Sequence, residues 1–425
     1  MYDLIIIGAG ASGLISAIVA TRQGKKVLLI EKMSQAGRKL RITGKGRCNL
    51  TNTLPLKEFL KHCGSEPRFL YPSFNTFFSK DLVKFFEELG VKTTEERGGR
   101  IFPQSGKAQD VFLALINELE DSSCTIYKDT EVTKLLIEDN KIVGVKTQSR
   151  TKGNKEYFAN KVILAAGGES YPLTGSEGDG VRLAKEVGHN IIPTLPSLVG
   201  LRLKDFYAQR INPSIENFSV RNTNATIIQE SGKKLCEEFG ELAFGEDGVY
   251  GPIILTLSRE IARRLSQKEK LTLLLDFKPA IEERELDEKL LREFNARGKE
   301  DIKTVLRGFL PHELIYLAID KMNFDPRKKA SLITSQERKE ILTFLKRCPF
   351  EIIGDFGFEQ AIVTQGGVDL KEINPKTLES KLIKGLFFAG EVMDLDADTG
   401  GFNLQIAFST GVLAAQDTAQ EEPQE

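Results

Sequence analysis

Leu4-Ile5-Ile6-Ile7-Gly8-Ala9-Gly10-Ala11-Ser12-Gly13 opens the chain, and Glu31 closes a second apolar run at 26–30. An unbroken aliphatic run with β-branched residues predicts a parallel strand buried on both faces. Residues 14–23 predict a helix with Leu14, Ala17, Ile18 and Thr21 on one face, stopped by Gly24. This is a βαβ unit of roughly 30 residues. Gly8 permits the tight turn out of the strand. Gly10 lets a pyrophosphate reach the backbone, and Gly13 lets helix and strand pack closely. The N–H groups and positive dipole end at Ala11, Ser12 and Gly13 suit phosphates. Glu31 suits both ribose hydroxyls of an adenosine, and its charge disfavours a 2′-phosphate.

That unit serves either NAD or FAD. The far end of the chain points to FAD. Gly385-Leu386-Phe387-Phe388-Ala389-Gly390-Glu391 reads as a strand ending in glycine plus an acid, able to run beside a ribityl chain and pyrophosphate. Gly400-Gly401-Phe402-Asn403 opens a closing helix at 403–418, whose N–H groups suit the N1/C2 edge of a reduced flavin. Ala165-Ala166-Gly167-Gly168-Glu169-Ser170 ends a third buried strand and permits close approach to a cofactor.

Working outward, helices are expected at 80–90, 108–120 and 178–188. Strands are expected at 125–132 and 134–146, with an Asp139-Asn140 hairpin turn. Short alternating strands at 198–203, 224–230 and 271–277 follow a change of texture at Pro193 and Pro196. Residues 281–348 are charged and helical, and parallel-sheet texture returns at 361–364. The expected class is α/β, with a discontinuous Rossmann-like parallel sheet, an inserted β-barrel-like domain and a helical cap. The boundaries are 1–192 with 359–425 for the FAD domain, 193–278 with 345–358 for the β-rich insertion, and 279–344 for the cap.

A net charge of −1 argues against a general nucleic-acid or membrane-surface binder. Cys48, Cys63, Cys124, Cys236 and Cys348 are scattered, which argues against a disulfide scaffold or zinc ribbon and fits a cytoplasmic protein. The start of the chain lacks the features of a signal peptide, and no apolar run approaches the roughly 20 residues of a membrane helix. His62, His189 and His312 show no ligand spacing, so no metal is expected, and His189 reads as a helix-end cap.

Residues 37–52, Gly37-Arg38-Lys39-Leu40-Arg41-Ile42-Thr43-Gly44-Lys45-Gly46-Arg47-Cys48-Asn49-Leu50-Thr51-Asn52, form a glycine-rich basic loop suited to phosphates or a carboxylate substrate. With 167–172, Thr364-Gln365-Gly366-Gly367-Val368 and 385–405, the stretch resembles the YhiN/BaiN-type flavoproteins, a branch of the glutathione-reductase-like and fumarate-reductase-like FAD proteins. The resemblance covers most of the chain. It implies non-covalent FAD, with the 37–52 loop beside the isoalloxazine. Implied cofactor contacts are Gly8, Gly10–Gly13, Glu31, Lys32, Arg38, Lys39, Thr43, Gly44, Gly46–Asn49, Val132, Ala166, Gly167, Gly168, Gly390, Glu391, Asp394, Gly401, Phe402, Asn403 and Leu404. Lys45, Arg47 and Cys48 are the catalytic candidates, although Cys48 reads better as a packing residue. Thr43 and Lys45 stand where relatives carry Ser and Gly, Gly245-Glu246 where many carry Thr-His, and Tyr250 where Ser is common.

The expected activity is hydride transfer between a small molecule and flavin N5, with O2, NAD(P) or another acceptor completing turnover; NAD(P)H is a candidate donor. One alternative is a flavin-dependent RNA base-modifying enzyme such as a uridine reductase, drawing on the basic 37–47 loop, Arg97, Arg100 and Lys107, extended by Arg202, Lys204 and Arg210. Another is a non-enzymatic flavin redox protein. Substrate and oligomeric state are not legible.

Overall fold

Leu4–Ile7 (β1) pairs in parallel with Val27–Ile30 (β2) on one side and Val162–Leu164 on the other. Cys124–Tyr127 (β3) pairs with β2. Leu386–Phe388 (β5) pairs with Val162–Leu164 (β4). The resulting parallel sheet runs β5-β4-β1-β2-β3. Every residue of β1, β2, β4 and β5 is buried, as continuous apolar strands require when both faces are covered. This computed structural model describes residues 1–64, 66–120, 122–149 and 153–416.

Ala11–Arg22 (α1) packs against the closing helix Phe402–Ala415 (α2). A side chain at Gly411 would strike the Ser12 carbonyl at 2.6 Å, while Ser16 Oγ donates to the Gly411 carbonyl at 2.8 Å. The glycine lets the helices meet backbone to backbone. The expected discontinuous Rossmann-like sheet is therefore present, and its last strand and last helix come from the end of the chain.

The chain falls into two compact units, Met1–Pro196 with the chain from Ile362, and Ser197–Ala361. The second contains a closed barrel in the order Leu201–Leu203, Gly248–Tyr250, Lys234–Phe244, Ser219–Gln229, Leu271–Asp276, Cys348–Asp355. Leu271, Leu273 and Leu275 alternate inward along one strand. The helices Glu283–Ala296, His312–Met322 and Ser335–Arg347 add Leu290, Leu317 and Leu345 to the same apolar core. No helix of the described residues is long and apolar enough to cross a membrane.

Four local expectations are corrected. The strand expected at 125–132 is two: β3 ends at Tyr127, Asp129 turns the chain at φ 51°, and Thr130–Glu138 begins an antiparallel sheet with Lys141–Ser149. Residues 361–364 do not rejoin the parallel sheet. Val363–Val368 instead pairs with Ile191–Ser197 in a separate two-stranded sheet, with Gly366 pressed on the Pro193 carbonyl. The strand expected at 198–203 shortens to Leu201–Leu203, since Leu198 lies at φ 53°. The basic 37–52 loop begins as a helix at Arg38 and breaks at Thr43, Gly44 and Lys45, where backbone angles leave the helical region.

Candidate active site

Glycines shape the turn at the top of β1. A side chain at Gly8 (φ 99°) would lie 2.5 Å from the Ala165 carbonyl and 2.9 Å from Ala166 Cα, so turn and loop close on each other. A side chain at Gly13 would lie 1.9 Å from the Gly8 carbonyl. At Gly10 the same test meets nothing within 4 Å. Open space thus lies before the α1 N-terminus, where the first N–H groups have no intrahelical acceptor. Open space and unpaired N–H donors at a helix N-terminus are the chemistry that a pyrophosphate needs.

Glu31 Oε2 accepts from Ala9 N–H at 3.0 Å and Oε1 from Met33 N–H at 2.8 Å. Burial raises its pKa, opposed by those two N–H groups and by Lys32 and Arg38. Each oxygen retains a lone pair for a further donor such as a ribose hydroxyl. Arg38 is half-buried and makes no ion pair among the described residues. Lys32, by contrast, is held by Glu177 at 2.7 Å and Asp179 at 2.5 Å, so its charge is already matched. Val132 is buried just past Thr130, whose N–H donates to the Glu31 carbonyl at 3.0 Å.

Four of the segments singled out in the sequence converge on one polar cluster. Lys39 Nζ donates to Glu391 Oε2 at 2.7 Å and to Ser170 Oγ at 2.5 Å. Glu391 Oε1 accepts from Ser170 Oγ at 3.1 Å and Thr364 N–H at 2.8 Å. Thr364 Oγ1 accepts from the N–H groups of Glu169 and Ser170 at 2.8 and 3.1 Å. Gly168 is required because a side chain there would lie 2.4 Å from Thr364 Oγ1. Asp394 Oδ1 caps Gly366 N–H at 3.0 Å, and Gly390 N–H donates to Thr410 Oγ1 at 3.0 Å. Gly167 lies between, at φ 77°. Ser12 Oγ reaches the Ala389 carbonyl at 3.4 Å. Thr364, in the strand Val363–Val368, and Ser170 are polar, fully buried organisers; the sequence marked their segments but not these two side chains.

The N-terminus of α2 forms the other end. Gly401 (φ 99°) lies so close to strand Thr51–Asn52 that a side chain would meet the Thr51 carbonyl at 2.3 Å. Asn52 Nδ2 donates to the carbonyls of Gly98 and Gly400 at 2.9 and 3.2 Å. The Asn403 side chain is spent on its own loop: it accepts from Ala397 N–H at 2.9 Å and donates to the Ala397 and Asp398 carbonyls. Only backbone N–H groups of Phe402, Asn403 and Leu404 remain for an anionic edge. His62 Nδ1 lies 2.9 Å from Asp398 Oδ2, and its ring stacks on Phe402 with centroids 4.5 Å apart. The partners are separated by 336 positions, so sequence reading missed the acid beside His62.

The three catalytic candidates separate. Cys48 is fully buried, and burial pushes its thiol up to about 12, which favours the packing reading over a nucleophile. Arg47 forms an ion pair with Glu96 and lies 4.3 Å over the Phe102 ring, so its charge is committed. Lys45 is exposed at φ 57°, between Gly44 and Gly46, which also have positive φ. Thr43 Oγ1 donates to the Leu40 carbonyl. Asn49 Oδ1 and Gln365 Oε1 are buried acceptors with no donor among the described residues. Gln365 had not been singled out as a site residue. His189 is more than a cap: its ring bridges Glu372 at 3.0 Å and Ser380 Oγ at 2.9 Å. No cluster of metal-ligating side chains occurs among the described residues.

Comparison with known proteins places this geometry. Residues 2–417 match the family described as HI0933-like protein Rossmann domain. The chain is similar to the 3-dehydro-bile acid delta(4,6)-reductase of Clostridium scindens, 31% identical with 99% of this chain and 100% of the relative covered. It is also similar to the ribosomal RNA dihydrouridine synthase of Escherichia coli, 28% identical with 98% of each covered. Among solved structures, 3-ketosteroid delta1-dehydrogenase from Sterolibacterium denitrificans superposes with a TM-score of 0.53 at 12% identity, covering 97% of this chain and 98% of that one. That last likeness concerns the fold alone. With its split parallel sheet and inserted barrel, the chain belongs to the HI0933-like Rossmann-domain family.

Proposed function

We propose that this FAD-dependent oxidoreductase saturates a carbon–carbon double bond conjugated to a carbonyl in a small molecule. The oxidoreductase class rests on the family and its reductase relative. The substrate class is drawn from what the named relatives share. A delta(4,6)-reductase and a dihydrouridine synthase both reduce a C=C activated by an adjacent C=O. The observation that carries the cofactor reading is the open space at Gly10 together with a half-buried Glu31 that retains acceptor capacity.

Bound and reduced, FAD supplies the hydride. The chain holds the adenosine end with Glu31 and the backbone near Val132, and the pyrophosphate with Gly10–Gly13 and Arg38. Ala166–Gly168, Gly390 and Asp394 flank the middle of the cofactor, with Glu391 locked beside them by Lys39. The N–H groups of Phe402, Asn403 and Leu404 stabilise negative charge on the ring edge. Asn49 Oδ1 and Gln365 Oε1 accept from ring or substrate N–H and O–H groups. Lys45 faces outward, where it suits an anionic substituent on the substrate. A nicotinamide donor would dock directly, since one Gly-x-Gly-x-x-Gly unit serves the flavin.

A small molecule is favoured over RNA. Arg47 and Arg100 both face Glu96, the latter at 4.0 Å, so this part of the basic loop is charge-matched. The test is anaerobic reoxidation of the reduced holoprotein by a cyclic dienone, a simple enone, uridine, ribosomal RNA and saturated ketones. The expected result is fast reoxidation by the conjugated small molecules and none by saturated ketones. Equal rates for enone and saturated ketone overturn the proposal, and reoxidation by ribosomal RNA alone selects the base-reduction alternative.

A further inference from the structure

We infer that His62, oriented by Asp398, is the proton donor of this site, a deduction that rests on the conjugated-alkene reading above. Saturating a conjugated C=C requires a proton as well as a hydride, and proton delivery to carbon is slow without a positioned acid. His62 has the attributes of such an acid. Its Nδ1 is held by Asp398 Oδ2 at 2.9 Å, while its side chain remains 40% exposed. No partner for Nε2 occurs among the described residues. An acid on Nδ1 fixes the ring orientation and tautomer, leaving Nε2 as the nitrogen free to pass a proton.

The pair is pre-positioned by backbone. Asp398 N–H donates to the His62 carbonyl at 2.9 Å and Gly64 N–H to the Asp396 carbonyl at 2.7 Å. Cys63 and Ala397 form a β-bridge, and Asn403 in the first turn of α2 clamps Ala397 and Asp398. The imidazole stacks on Phe402, the first residue of α2. It therefore stands at the helix end assigned above to the flavin ring edge. A helix-end position alone would say little; a latched acid–imidazole pair with one ring nitrogen left over is chemically specific.

The step balances as follows. The C=C π bond breaks as the β-carbon gains hydride from the reduced cofactor. The α-carbon gains the proton from Nε2 of the His62 imidazolium. The imidazole is left neutral with Nδ1–H on Asp398 and is reprotonated by water. Two independent measurements test this. In 15N histidine spectra of the holoprotein, the deshielded Nδ1–H of His62 should vanish in Asp398→Asn, while the His189 signals, set by Glu372 and Ser380, stay in place. In anaerobic half-reactions, His62→Gln should retain bound FAD and its reoxidation rate with a quinone, whose oxygens take protons directly from water. Its reoxidation by the enone should fall about 10²–10⁴-fold. Asp398→Asn should show a smaller loss of the same selectivity. An enone rate in His62→Gln within a few-fold of the parent overturns the inference while leaving the reductase reading intact. Failure of the parent protein itself to reduce any enone overturns both.

Discussion

Gly401 and Gly10 show two different reasons for a glycine at one site. At Gly401 the chain itself excludes a side chain, through φ 99° and the Thr51 carbonyl at 2.3 Å. Gly401→Ala should therefore destabilise the protein by about 2–4 kcal/mol, measured as a lower urea midpoint, even without FAD. At Gly10 nothing in the chain lies within 4 Å of a side chain, and the proposed pyrophosphate would supply the constraint. Gly10→Glu should abolish FAD binding, read as loss of flavin absorbance and fluorescence quenching. The far-ultraviolet circular dichroism and urea midpoint of the FAD-free protein should be unchanged. Retained flavin would remove the pyrophosphate from this turn. Both glycines were legible because glycine spacing is a local signal. The Thr364–Ser170–Glu391–Lys39 cluster was not, because its hydrogen bonds join segments brought together only by folding.

Among elements, those with one dominant local cause read well. β1, β2 and β5 are continuous apolar runs, and the hairpin turns at Asp139 and Asn140 with φ 47° and 56°, as a two-residue turn demands. The break at Asp129 and the diversion of Val363–Val368 were not legible. A β-rich stretch does not say which sheet it joins, and pairing partner is a non-local choice. His189 belongs to this scale, since it ties the end of helix Asp179–Glu186 to the segment carrying Glu372 and Ser380. Desolvation holds its pKa below the ordinary 6.5, with Glu372 opposing. The neutral ring is thus favoured in the fold, and the unfolded chain binds more protons as pH falls. Its stabilisation should be complete above about pH 6.5 and decline below it. The check is the urea midpoint at stepped pH from 7.5 to 5. His189→Gln should flatten that part of the profile; an unchanged slope would acquit His189.

At the scale of the molecule, two units carry separate apolar cores. The proposed FAD contacts all lie in the first. FAD at 100 times its dissociation constant should add about 2.7 kcal/mol to whatever unfolds with it. Calorimetry of apo- and holoprotein should show a transition that moves with FAD and one, belonging to the barrel unit, that does not. A single transition shifting as a whole would mean that the two cores unfold together. The cofactor domain was readable from Gly8 to Glu31 together with 385–405, because strand burial, glycine conformation and helix-end electrostatics act over short stretches. The amino-acid sequence by itself thus determined the parallel sheet, the glycine turn after β1 and the nature of the cofactor. Only the tertiary structure decided that Cys48 is sealed, that Arg47 is neutralised by Glu96, and that Asp398 reaches His62 across most of the chain. The physical reason is that reactivity depends on burial and on partners distant in sequence, and neither is written in the local order of residues.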